Sequence, residues 1–331
     1  MSMSIARAHL HRIIGRPIND TTIQRGPNGT VVKTNNGNDN VKAHQLADGG
    51  MMVTINGKAE YFTAEEAKNI TFDLGNGNDN FELVGSSAGQ GVTVLGGAGN
   101  DRITGGAGND KLYGGSGHDT INGGAGNDYI DGGTGSDRLK GGDGNDYINA
   151  GQGREGFFAD RDVVTGGNGN DYIQGNQQGS NRLYGNDGND RIAGGNYRDA
   201  IFGGAGNDSL SGGNGNDAIY GGTGNDHMYG GNGNDRLYGG NGQDTMYGQA
   251  GNDRIYGGND NDRIYGGTGH DYLYGQSGND SVFGQQGNDY INGGRGWDAV
   301  SGGTGWDNVK PEPSLRPYVY DPSMYRDGGG R

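Results

Sequence analysis

From residue 96 to residue 310 the chain repeats every nine residues. GGAGNDRIT, GGAGNDKLY, GGTGNDHMY and GGNGNDRLY are four of 23 successive units. The sixth position is aspartate in 22 of them, with Asn181 the exception, and the eighth is Ile, Leu, Val or Met in every one. The period is interrupted by a long unit over 150–165 and a ten-residue unit over 175–184. A core assembled from distant segments has no reason to space a carboxylate and several glycines at a fixed interval, whereas stacked repeats do.

Glycine supplies 77 of 331 residues and apolar residues only 29%, too few for ordinary layered cores. Together with a net charge of -15 this composition would indicate disorder, but repeats bury by stacking what one unit cannot. The glycines follow no three-residue period, so collagen is excluded. With no cysteine there are no disulfides or thiolate metal sites. No apolar run of about 18 residues is present to span a membrane.

The glycine-rich first six residues of each unit are expected to form a turn with positive φ values. The last three should alternate out-in-out as a short strand, with Ile130, Leu139 and Ile148 pointing inward. Two units then make one 18-residue coil, and coils stack as parallel strands about 4.8 Å apart. The expected fold is all-β, a parallel solenoid over 96–310.

Residues 1–95 read as an N-terminal cap of irregular β rungs. NNGNDNVK at 35–42 and LGNGNDNFEL at 74–83 resemble the repeat turn. GMMVTINGKAEYF reads as a hairpin about Asn56-Gly57, and Thr63-Ala64-Glu65-Glu66 as a capping box opening a short helix. At the start of the chain, Ile5, Leu10, Ile13 and Ile14 could line a short helix. Residues 311–331 form a tail rich in proline and tyrosine.

Stacking poses an electrostatic problem. Aspartates 18 residues apart, such as Asp208, Asp226 and Asp244, fall in one column. At that spacing neighbouring carboxylates repel by several kcal/mol at low effective dielectric, on the order of 3 kcal/mol at a dielectric of about 20. A hard divalent cation between turns removes the repulsion, using carboxylate oxygens and backbone carbonyls that glycine allows to converge. Calcium suits such a site better than magnesium because it accepts six to eight oxygens in flexible geometry.

The quoted nonapeptides resemble those of RTX, haemolysin-type calcium-binding proteins, over about two-thirds of the chain. The resemblance implies a right-handed parallel β-roll, calcium in the turns, export from a bacterium and folding only where calcium is plentiful. It implies side-chain ligands at Asp101, Asp110, Asp119, Asp128, Asp137, Asp146, Asp171, Asp190, Asp208 and Asp217. The series continues through Asp226, Asp235, Asp244, Asp253, Asp262, Asp271, Asp280, Asp289, Asp298 and Asp307. Departures fall at the insertion over 154–162, at Asn181, and at Tyr197 and Asp260, which replace the fourth glycine. Discarding broken turns leaves on the order of 15–20 calcium ions.

Neutralising the 22 repeat aspartates would turn the charge of -15 into +7, so a polyanion, such as an anionic polysaccharide, or a cell-surface component becomes a plausible partner. Positions seven and nine face outward. Tyr184, Phe202, Tyr220, Tyr238, Tyr256 and Tyr274 form one aromatic column, and Tyr229, Tyr247, Tyr265 and Phe283 another. Arg182, Arg191, Arg236, Arg254 and Arg263 stand at position seven. The columns either stabilise the sheets as ladders or offer a surface to glycan, lipopolysaccharide or protein. Trp297 and Trp306 are expected to cap the open end.

Catalytic signatures are weak. There is no HExxH helix, and the six histidines have no evident catalytic partners. Gly85-Ser86-Ser87-Ala88-Gly89 matches a nucleophile pattern, but residues 91–95 read as a strand where a helix is required. No nucleic-acid-binding signature is present. The expectation is a secreted, non-catalytic surface, matrix or adhesive element. The alternative is an effector or accessory module with activity in residues 1–95.

Overall fold

A computed structural model describes residues 21–27, 29–85, 90–151 and 161–310. The expected helix in the first 20 residues, Ser86 and Ser87, the insertion over 154–160 and the tail over 311–331 lie outside the described residues. The chain divides into two compact units, Met1–Arg154 and Glu155–Arg331.

The first unit begins with an antiparallel hairpin, Thr22–Gly26 against Gly29–Lys33. Gly29–Lys33 then pairs in parallel with Ile70–Asp73, the first of a series continued by Thr93–Ala98, Lys111–Ser116, Tyr129–Thr134 and Tyr147–Asn149. The facing sheet runs from Asn40–Gln45 through Asn80–Val84, Arg102–Ala107 and Thr120–Ala125 to Arg138–Asp143. The hairpin about Asn56-Gly57 is present: Met51–Ile55 pairs antiparallel with Lys58–Phe62, and both turn residues take positive φ, 50° and 81°. That is the handedness a two-residue turn needs to follow strand twist. A four-residue helix, Ala64–Ala67, follows with both halves of the Thr63–Glu66 capping box formed. Phe72 and Phe81 meet at 4.7 Å between ring centroids and anchor a core shared with Met51 and Phe62.

In the second unit the nonapeptides alternate between two parallel sheets. Ala218–Thr223, Arg236–Asn241 and Arg254–Asn259 are neighbours in one, His227–Asn232, Thr245–Ala250 and Arg263–Thr268 in the other. The register shift is 18 residues, as in Ile219↔Leu237 and Met228↔Met246. Across the ten-residue unit it becomes 19, as in Ile173↔Ile192. The extra residue is thus absorbed in the turn, and every eighth-position side chain stays on the inner face.

The strands are longer than the three residues expected. Most span six, covering positions seven to nine and then the first three of the next unit, as in Arg236–Asn241, RLYGGN. The turn proper is only positions four to six. Two glycines can sit within a strand here because each rung hydrogen-bonds the next and the ladder, not intrinsic propensity, holds them extended. Gly240 has φ 116°, closed to other residues, whereas Asn186, Gln249, Gln276 and Gln285 hold the equivalent position at φ 76–78°.

The core is one aliphatic side chain per unit. Ile201, Ile219, Leu237, Ile255 and Leu273 are fully buried, each stabilising by about 1.5–3 kcal/mol relative to exposure. Leu237→Ala should therefore destabilise the protein by about 2–5 kcal/mol, read as a lower urea midpoint in saturating calcium. A change below about 0.5 kcal/mol would show that the roll closes over the gap.

Candidate metal centre

Every turn delivers its sixth-position side chain to the interior. The aspartates expected as ligands between Asp101 and Asp289 are all at most 3% exposed, whereas Asp298 and Asp307, in the last described turns, are half-buried. One carboxylate oxygen, Oδ1, accepts the backbone N–H of the aspartate 18 residues earlier. Asp208 donates to Asp226, Asp226 to Asp244 and Asp244 to Asp262 at 2.8–2.9 Å. Along the opposite edge Asp217, Asp235, Asp253 and Asp271 are linked in the same sense, each bond 2.8 Å. The aspartate carbonyls are used as well, for example Asp217 O by Arg236 N–H at 2.8 Å.

The second oxygen, Oδ2, has no hydrogen-bond partner and is buried at Asp208, Asp226, Asp244 and their counterparts on the other edge. It lies against the first glycine of its own unit. A Cβ placed on Gly239 would collide with Asp244 Oδ2 and with Gly257 O of the next rung. Most turns, those opening at Ala150 and Gly175 and the last two apart, therefore gather a carboxylate oxygen and a backbone carbonyl of the next rung at a spot where no side chain fits.

Burial pushes these carboxyls up, and the hydrogen bond to Oδ1 only partly offsets it. Asp101 and Asp244 rise to about 6, and Asp217, Asp226 and Asp253 to about 7. Asp262, with Asp244, Asp280 and Asp260 adding repulsion to burial, rises to about 8. A buried charged oxygen without a partner costs more than the roughly 1–3 kcal/mol of a neutral one, and here the arrangement recurs rung after rung. A proton or a cation has to supply what is missing.

The donor set fits a hard cation. Among the described residues no three acidic or histidine side chains converge. A cation would therefore draw on Asp Oδ2 and glycine carbonyls, the all-oxygen mixture that calcium accepts. When bound it supplies the positive charge that lets the carboxylates stay ionised in their column. Asn181 shows what occupies such a place without metal. Its Nδ2, close to where a Cβ on Gly175 would fall, donates to Asn176 O at 3.0 Å, Gly179 O at 3.3 Å and Asp199 Oδ1 at 3.0 Å. An amide N–H donor thus meets three oxygens and removes one charge from the column.

Four further aspartates belong to the same pattern. Asp162 and Asp199 are buried in imperfect turns. Asp39 and Asp79 extend the ladder into the N-terminal rungs, Asp39 N–H donating to Asp79 at 2.7 Å and Asp79 N–H to Asp101 at 2.8 Å. The signal was the NGND in each N-terminal turn. A second ladder, not expected, runs in the opposite sense through position five: Asn234 N–H donates to Asn216 Oδ1 and Asn252 N–H to Asn234 Oδ1, both at 2.7 Å. His118 and His270 do the asparagine's work there, each accepting through Nδ1 from Ser136 and Asn288 N–H.

On the outer faces both aromatic columns form. Tyr220, Tyr238, Tyr256 and Tyr274 stack at 4.8–5.0 Å with interplanar angles of 3–4°. Tyr229, Tyr247 and Tyr265 stack at 4.8–5.2 Å on the other sheet. Trp297 and Trp306 do not cap the end as expected. They stand 72% and 90% exposed, because position five, which they occupy, points out of the turn.

Because the aspartate pKa values are raised in the folded state, metal-free stability is greatest below the unfolded value of about 4 and is lost as pH rises through 6–8. Metal-stripped protein should therefore gain β signal in circular dichroism between pH 8 and pH 5, and calcium should abolish that dependence. A metal-free fold equally stable at both pH values would contradict this. Asn181→Asp should lower the stability of the metal-free form and raise bound calcium by about one ion, measured by equilibrium dialysis; unchanged stoichiometry would mean that the turn is closed to metal.

The sequence profile described as RTX calcium-binding nonapeptide repeat (4 copies) matches segments from residue 95 to residue 309, with a break at 155–157 in the long unit. No curated protein matches the chain. With the periodic turns, the buried carboxylate ladders and this match over most of its length, the chain belongs to the RTX calcium-binding nonapeptide-repeat family.

Proposed function

We propose that the protein is a secreted bacterial, non-catalytic element that folds on calcium outside the cell and acts as a surface, matrix or adhesive contact. The observation carrying this reading is the contrast between inside and outside. Interior positions repeat one chemistry, while position nine presents flat stacked rings on two faces, with Tyr220 37% exposed. Columns of tyrosine ring edges and hydroxyls beside arginines suit the hydroxyls and anionic groups of a glycan. Dependence on a cation at the millimolar concentrations found outside cells supports extracellular folding. In this reading calcium lies between successive turns and numbers on the order of 15–20 ions, a count reached by pairing each turn with the one 18 residues on and discarding the broken turns.

Bacteria producing the chain can be fractionated with and without a chelator. The protein is expected outside the cell, retained on the surface or matrix in millimolar calcium and released by EGTA. Recovery in the cytoplasm, or retention indifferent to EGTA, would overturn the reading.

A further inference from the structure

In the second unit, a groove of about 400 Å³ runs along the outer edge where turns meet strands. It is lined by Arg198, Arg236 and Arg254, with Tyr272 one strand further on. Asn216, Asn234 and Asn252 complete the lining. Their Oδ1 atoms are committed to the position-five ladder, the last accepting His270 N–H at 2.7 Å. Each amide is left with only its NH2 to offer a ligand. The Arg254 guanidinium lies 5.3 Å over the Tyr272 ring, which restrains both. Among the described residues no carboxylate comes within ion-pair distance of the three guanidiniums.

These side chains present hydrogen-bond donors and positive charge, and the Tyr272 ring is held between Arg254 and Tyr290 of the neighbouring rungs, its centroid 5.8 Å from that of Tyr290. A matching ligand is extended over several rungs, rich in oxygen acceptors and negatively charged. A sugar chain with acidic groups has all three properties. A nucleic acid has the charge, but its bases would find no open series of rings to stack on.

The same edge carries the buried column of Asp199, Asp217, Asp235, Asp253 and Asp271. Each lies next to a position-five residue of the groove edge, Arg198, Asn216, Asn234, Asn252 or His270. The guanidiniums line up only where these rungs are stacked, and the buried carboxylate oxygens behind them let the rungs stack at neutral pH only with a cation. We propose that this groove binds an acidic polysaccharide, with its carboxylate or sulfate groups on Arg198, Arg236 and Arg254, and does so only in the calcium-loaded protein. The inference rests on the surface-contact reading above and assigns that contact a site and a ligand class. By linkage, the polysaccharide also raises the apparent calcium affinity.

Dextran sulfate is the probe, because it does not gel with calcium as polyuronates do, and unmodified dextran is the control. The full chain in saturating calcium is titrated calorimetrically, alongside the triple variant Arg198→Gln, Arg236→Gln, Arg254→Gln and the control variant Arg102→Gln, Arg138→Gln, two exposed arginines of the first unit. The triple variant should bind at least tenfold more weakly with less salt dependence, the control should match the parent, and all three should fold at the same calcium concentration by circular dichroism. Parent-like binding by the triple variant, equal binding of unmodified dextran, or tighter binding of double-stranded DNA would overturn the proposal. Cell retention that survives in the triple variant would sink the groove while leaving the surface role intact. A parent chain that does not fold with calcium would instead remove the calcium reading, before any polysaccharide is added.

Discussion

The structure depends on a buried carboxylate oxygen with nothing to accept from. Each aspartate gives Oδ1 to the N–H of the rung before it and turns Oδ2 inward against a glycine, as at Asp244 and Gly239. A single such oxygen would be a local defect. Repeated along both edges at one rung's spacing, it makes the stack untenable at neutral pH without protons or cations. The glycines follow from this constraint, because a side chain at the first position would occupy the space the oxygens share. So does the shape of the stability, since the fold and the ion binding draw on the same atoms.

Within that constraint the division of labour is sharp. Aliphatic side chains at position eight supply a core only one residue wide, and in many turns position five accepts the next rung's N–H through an amide or imidazole, Arg198, Trp297 and Trp306 being exceptions. Neither task restricts positions seven and nine. These carry the stacked tyrosines, the arginines and the groove at Arg236 and Arg254, so the surface can change without disturbing the interior. At Asn181 an amide N–H stands where the other rungs place an unpartnered carboxylate oxygen, and it meets the neighbouring oxygens directly. A cation at the remaining rungs would supply the charge that lets their carboxylates stay ionised in the column.

Much of this was legible because the period is strict. A nine-residue repeat with one aliphatic position admits few ways to bury that position, and stacking two units per coil is the one that aligns Ile219 with Leu237. The hairpin at Asn56-Gly57 and the capping box at Thr63 were legible for a different reason, since both are closed by residues within a few positions of each other. The strand length was misjudged, because glycine's poor intrinsic preference for strands is overridden by ladder bonds that come from other rungs. The tryptophans differ from expectation because their place in the last two turns suggested a cap, whereas position five points outward whatever occupies it.

The sequence by itself determined the repeat, the inward aliphatic, the column of aspartates and the kind of ion that could join them. Each follows from spacing and local chemistry alone. Only the tertiary structure decided how each carboxylate divides its two oxygens, that Asp39 and Asp79 join the column, and that Asn181 turns an amide N–H onto Asp199 where other rungs turn a carboxylate oxygen inward. The same holds for the groove that gathers Arg198, Arg236 and Arg254. These are relations between residues 18 or more positions apart. They exist only once the rungs are stacked in register, and a one-dimensional pattern carries the register but not the direction in which each oxygen or guanidinium points.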